Sequence, residues 1–233
     1  MNSNLGKSLL TALTALVFGF LGAAAWSYSG LADNRTRAYL LDNPKILEEL
    51  ATALQDEQAR ERLAGAGDEI YTEFPGAVIG NPEGSKVLVE FTDYNCPYCE
   101  TSVADVKRLV AEDPDLKVVM REWPIFEGSE PAARMALAAG LQGKYSEFHD
   151  AMFKFSPTTP EAIERAAQSA GLDMERARAD AVSDAVTVEL AKSLTLARTL
   201  GFSGTPAFVT SETAIGGAVG YEALKEALND ADS

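Results

Sequence analysis

An α/β domain interrupted by an all-helical insertion, with a helical extension at its N-terminus, is the fold class that this chain of 233 residues predicts. Three observations carry it. Strand-like apolar runs fall into two groups, 77–120 and 206–215, and an Ala-rich helical stretch, 131–200, separates them. The first group runs strand, helix, strand in the short compass of a βαβ unit, which implies a parallel pair. Ahead of both groups, 33–68 shows helical spacing only.

The N-terminus comes first in the chain. After Lys7, the stretch Ser8 to Ala25 is uncharged and rich in Leu, Ala, Val and Phe. A basic start, an apolar stretch and the small residues Ala23, Ala24 and Ala25 fit an export signal with a cleavage site. Extended through Trp26 and Tyr28 to cover 8–28, the stretch approaches the length of a membrane span, with those two rings at the interface. Residues 1–30 are therefore expected to be a signal peptide or an N-terminal membrane anchor, and either delivers the rest of the chain across a membrane. Residues 31–72 form the helical extension. Asn43-Pro44 is a helix start signal, followed by Ile46, Leu47, Leu50 and Leu54 at helical spacing. Leu40, Leu47 and Leu54 lie seven apart, as a short homo-oligomer seam would require, although Glu57 and Glu61 interrupt the stripe. A helix packed on its own domain shows the same pattern, and both readings stand. Gly65-Ala66-Gly67 reads as a linker.

The α/β domain is expected at 73–130 and 190–233, with the insertion at 131–189. Ala77 to Gly80 is a short strand, and Asn81-Pro82-Glu83-Gly84 a turn. Lys86 to Phe91 is a buried strand. Pro97 to about Val110 is a helix with Val103, Val106, Leu109 and Val110 on one side, ended by Asp113-Pro114. Leu116 to Met120 is the next strand. The insertion is punctuated near Ser156-Pro157 and Gly171. Pro206 to Val209 and Ala214-Ile215 form a late hairpin, and Tyr221 to Leu228 a closing helix.

Charge narrows the function. Twenty basic against thirty-five acidic side chains leave a net charge of −15, which argues against nucleic acid or an anionic membrane surface as partner. The cysteines narrow it further. Cys96 and Cys99 are the only two, separated by Pro97 and Tyr98, and His149 is the single histidine. A four-ligand Cys/His zinc site cannot be assembled in one chain from that set, so no metal and no cofactor is expected. A disulfide across two intervening residues removes little entropy from the unfolded chain and is a poor staple. The spacing suits a bond made to be broken.

The helix start makes the two thiols unequal. Cys96 lies where unpaired N–H groups and the helix dipole favour an anion, so it is expected to be the exposed, attacking and leaving thiol. Cys99, one turn further in, is the resolving thiol, and Pro97 is tolerated at the first turn. Glu90 lies six residues before Cys96 in an apolar strand. If buried, its carboxyl has a raised pKa and can move protons to or from Cys99; at a sheet edge it is merely solvated. Thr205-Pro206 opens the late strand, a position where proline is a constraint on pairing. His149, among Phe148, Met152 and Phe153, is expected to be packed rather than reactive.

A carboxylate six residues before Cys-x-x-Cys, a helical insert, and then Gly-Thr-Pro-Ala-Phe-Val resemble the DsbA-like thiol–disulfide oxidoreductases of the thioredoxin superfamily. Arg121-Glu122-Trp123-Pro124-Ile125 and the segment from Tyr145 to Phe153 are also similar to that family. The resemblance covers roughly 75–230 and implies a thioredoxin-like fold with a helical insertion, redox-active Cys96 and Cys99, a cis proline at Pro206 and a buried carboxylate at Glu90. Tyr98 departs from the strong oxidants of the group, which carry histidine there, and implies a less oxidising pair. Thr205 before the proline, with the N-terminal extension, resembles the oligomeric isomerases of the suppressor-of-copper-sensitivity C type.

The expected function is an exported thiol–disulfide oxidoreductase that forms or isomerises disulfides in periplasmic or secreted proteins. It would act on cysteine-containing exported proteins and need a membrane redox partner to reset it. The motif does not choose between oxidase and isomerase. A copper(I) carrier or chaperone using the same thiols is the alternative, against which no Met or His cluster accompanies Cys96.

Overall fold

The computed structural model describes residues 2–28 and 31–231, so the signal or anchor boundary at residue 30 lies outside the described residues, as does the Tyr28 side chain. The chain separates into two compact units, Met1–Gln55 and Asp56–Ser233.

The first unit is helical. α1 spans Asn2–Tyr28, α2 Leu31–Asp42, and α3 begins at Lys45 and runs to Ala66. Within α1, the 21 residues Gly6–Trp26 have a mean hydropathy of 1.9 and none of the stretch is buried. That segment is long and apolar enough to cross a membrane, and it is equally compatible with an export signal. On α3, Leu47, Leu50 and Leu54 are exposed.

The second unit begins inside α3 rather than at residue 73. Leu63 and, in the 3-10 turn Asp68–Tyr71, Ile70 are buried with Val89, Phe91 and Val119 of the sheet, which ties this part of the extension to the α/β body. Gly65 and Ala66 belong to the helix; the break comes at Gly67, whose φ of 62° suits a helix end.

The sheet has five strands in the order β1-β3-β2-β4-β5. β2 (Lys86–Thr92) and β3 (Leu116–Glu122) are parallel and joined by α4 (Pro97–Glu112). β1 (Val78–Gly80) pairs antiparallel with β3, β4 (Ala207–Val209) with β2, and β5 (Ala214–Gly216) with β4. The period of two then decides which side chains meet. Leu88, Val118, Met120 and Phe208 face a core shared with α4, the insertion and α10 (Tyr221–Asp230). Val89, Phe91, Val119 and Val209 face the other side. Each such aliphatic or aromatic side chain contributes about 1.5–3 kcal/mol by leaving water.

The insertion comprises five helices: α5 (Glu130–Gly140), α6 (Tyr145–Lys154), α7 (Pro160–Ser169), α8 (Met174–Ala181) and α9 (Asp184–Thr199). Side-chain caps start the last three, from Thr159, Asp173 and Ser183 to backbone N–H groups of the first turn. α9 passes without interruption through residues 189 and 190, so the expected end of the insertion falls within one helix. Its first half, with Val186 and Leu190, joins the insertion core, and its second, with Leu196 and Ala197, covers the opposite sheet face. Gly76 allows the sheet entry to abut α5: its φ is 74°, and a Cβ there would lie 2.1 Å from the Gly140 carbonyl oxygen.

Candidate active site

β2 ends beside the N-terminus of α4, and Cys96 occupies the N-cap of that helix with Pro97 in its first turn. The two cysteines stand as free thiols, and both are buried. Cys96 is only 2% exposed, which corrects the expectation of an open attacking thiol. The reason is tertiary: the segment before β4 lies over the sulfur, and the Cys96 thiol donates to the Thr205 carbonyl at 3.1 Å. The Thr205–Pro206 peptide is cis, as is Ser156–Pro157. Tyr98 is what the motif turns outward, at 66% exposure.

Cys99 lies behind Cys96 and has no exposure. Burial pushes its thiol well up from the ordinary range, and the Glu90 carboxyl and Cys96 add to the effect against the Thr205 hydroxyl and the Asp93 backbone. The Thr205 hydroxyl makes no hydrogen bond of ordinary geometry, yet it lies near enough to favour the Cys99 thiolate. Glu90 sits on β2 between β3 and β4, not at an edge, and on the face that carries Leu88. Burial alone raises its carboxyl to about 8. The solvated alternative for Glu90 is therefore removed.

A second buried carboxyl lies close by. Glu122, at the end of β3, shares the Glu90 face by the same alternation and is 1% exposed. The Tyr94 hydroxyl donates to its Oε1 at 3.0 Å, and the Tyr145 hydroxyl donates to the same atom. Burial raises Glu122 to about 8 against these two donors, and the charges of Asp93 and Glu90 raise it further. His149 meets the Tyr94 oxygen through Nδ1 at 3.1 Å. Burial, followed by the Lys107 charge, lowers that imidazole to about 3, so it is neutral and held in the packing of α6.

Asp93 fixes the loop that leads to Cys96. One of its oxygens accepts from the Asn95 N–H at 2.8 Å. The other accepts from the N–H groups of Ile125 and Phe126 at 2.6 and 2.9 Å and from the Ser129 hydroxyl at 2.8 Å. Asn95 adds a bond to the Glu127 carbonyl and one from the Thr158 N–H.

The structure thus brings Cys96, Cys99, Glu90, Thr205 and Pro206 into one place, with Pro97 in the helix start and Tyr98 at the rim. Sequence reasoning missed Asp93, Tyr94, Glu122 and Tyr145 as members of it. Alternation counted from Leu116 along β3 points Glu122 inward, and that was the available signal.

Residues 87–229 match the family described as DSBA-like thioredoxin domain. Among solved structures, a thioredoxin-like oxidoreductase from Silicibacter pomeroyi DSS-3 is 43% identical, with a TM-score of 0.67, over 71% of this chain and 97% of that one. A periplasmic thioredoxin-like protein from Salmonella enterica serovar Typhimurium is 27% identical, with a TM-score of 0.63, over 71% of this chain and 95% of that one. Among curated proteins, a Na(+)/H(+) antiporter NhaA 1 from Salinispora arenicola is 29% identical over 66% of this chain, but the match covers only 24% of the antiporter. The chain spans about a quarter of the length of the curated relatives it matches.

Proposed function

This chain belongs to the DSBA-like thioredoxin-domain family of thiol–disulfide oxidoreductases, and from that premise we propose that it is exported and forms or isomerises disulfide bonds in periplasmic or secreted proteins. The observation that carries the reading is the pairing of a thiol at a helix N-cap, held against the Thr205 carbonyl, with a second thiol buried behind it beside a protonatable carboxyl. In the oxidising direction a substrate thiolate attacks Cys96 Sγ. The Cys96–Cys99 bond breaks, and its electron pair leaves on Cys99. A second substrate thiolate then attacks the sulfur of the first substrate cysteine, which forms the substrate disulfide and releases Cys96 as thiolate. In the isomerising direction the reduced pair starts, with Cys96 attacking a substrate disulfide. Either direction calls for a membrane redox partner to restore the pair.

Export is supported by the apolar Gly6–Trp26 helix and by the likeness to a periplasmic protein. Cys99→Ala removes the resolving thiol and should accumulate mixed disulfides between Cys96 and exported proteins, visible as adducts that a reductant dissolves. A complete lack of such adducts in cells would overturn the reading. The exposed Leu47, Leu50 and Leu54 further support self-association through the extension. Deleting residues 31–54 should lower the mass measured by light scattering, and an unchanged mass removes that part of the proposal.

A further inference from the structure

The exchange chemistry proposed above uses the buried Glu90 carboxyl beside Cys99, and the structure places a second buried glutamate, Glu122, on the same face of the sheet. Glu90 and Glu122 lie on neighbouring parallel strands and on one face, since Glu90 pairs with Met120 and Thr92 with Glu122. No cation is paired with either carboxyl among the described residues. Two such groups packed together do not ionise independently: the first to lose its proton holds the other protonated. The repulsion is mutual, so the lift that the Glu90 charge gives Glu122 is matched by one in return and sets no order by itself; the hydrogen bonds select it. Both hydroxyl donors, from Tyr94 and Tyr145, end on Glu122, and among the described residues none ends on Glu90. Donors favour the charged form.

We propose that Glu122 is a positioning residue for the thiol exchange: it takes the first negative charge of the pair, and so keeps the proton on Glu90, the carboxyl beside Cys99. This rests on the oxidoreductase reading and on Glu90 as the proton carrier for Cys99, and what it adds is the part of Glu122. When the Cys96–Cys99 bond is broken by a substrate thiolate, the electron pair on Cys99 is a thiolate buried from bulk solvent. Glu90 gives it a proton, which yields the Cys99 thiol and the Glu90 carboxylate, and the reverse transfer frees Cys99 to resolve a mixed disulfide. With Tyr94 donating to Glu122, its oxygen is left to accept from His149, which fixes Nδ1 as the protonated ring nitrogen. Burial keeps both tyrosines protonated and therefore able to donate.

The groups that face this pair are few. Asp93 and Tyr94 come from the loop after β2, Cys99 from α4, and Tyr145 and His149 from α6, with the Lys107–Asp150 ion pair near His149. Carboxyl carbon NMR of the reduced full chain, with labelled glutamate, reads the order directly. In the wild-type protein Glu122 should ionise first and Glu90 last. Glu122→Gln should lower the Glu90 midpoint by about one pH unit, a tenfold loss of proton affinity. Tyr145→Phe, which weakens Glu122 as an anion, should move Glu90 in the same direction by less. The wild-type order serves even where a variant does not fold: Glu90 ionising first overturns the proposal. A Glu90 midpoint unmoved in both variants, with Cys96 adducts still trapped by Cys99→Ala, overturns this inference alone. A lack of adducts defeats the oxidoreductase reading instead.

Discussion

Arg121 and Glu122 are consecutive in β3, so the pleat sends a guanidinium to one face of the sheet and a carboxyl to the other. Both are buried, and they are accommodated differently. Arg121 is ion-paired to Glu189 of α9 and donates from Nη2 to the carbonyls of Glu69, Ile70 and Thr72, leaving only Nε over. It is supported as a charge, and it pins the 3-10 turn and α9 to the sheet. Among the described residues, Glu122 receives two hydroxyls on one oxygen, no cation, and nothing on Oε2. A buried ion paired on most sides resists any change of state. A buried acid left short of partners is poised to exchange a proton. One strand end therefore serves the architecture through one residue and the chemistry through the next.

The contrast is broken most directly at Arg121. Arg121→Ala strands Glu189 and leaves three carbonyls, that of Ile70 fully buried, without their donor, and should lower stability by about 3–5 kcal/mol, read from the urea unfolding midpoint. A loss under about 1 kcal/mol would mean that the ion pair does not hold the 3-10 turn and α9 to the sheet. The smaller effect is a slope. Glu90 and Glu122 have folded values of about 8 against an ordinary 4.5, so the fold binds their protons more tightly. That contribution is complete below the ordinary value and is lost as pH rises toward about 8. His149 acts in the opposite sense: lowered from 6.5 to about 3, it contributes above 6.5 and is lost as pH falls. Between 6.5 and about 8 the carboxyls therefore dominate this balance. There stability should fall by up to about 1.4 kcal/mol per pH unit for each proton the pair still holds. A double Glu90→Gln, Glu122→Gln variant should flatten that fall, measured as urea midpoints at a series of pH values. A slope equal to that of the wild type would show that neither carboxyl is protonated in the fold.

What could be read from the sequence follows from how local each signal is. Cys96, Cys99 and Glu90 sit on one strand–helix segment, and Thr205-Pro206 carries its constraint in two residues. Strand positions were legible for the same reason, since alternation and turn residues act over a few residues. The Glu122 cluster was not, because its members come from a loop, a strand and α6, and periodicity gives the face of a residue without its partner. The burial of Cys96 is not legible in its own segment because its cover is supplied by Thr205, more than a hundred positions away in the chain. Helix breaks inside the insertion at Gly143 and Ser183 leave little mark on the pattern, since an Ala-rich stretch keeps helical spacing across a short turn.

The Asp93 carboxylate has a mechanical consequence. Three of its four hydrogen bonds come from the segment that enters α5, and the fourth comes from the residue before Cys96. It acts as a rivet between the loop carrying the dithiol and the doorway of the helical layer. Displacement of that doorway transmits to Cys96 as a pull on one short loop, so the helices are coupled to the sulfur as a lever is to its fulcrum, rather than resting on the sheet as an independent lid.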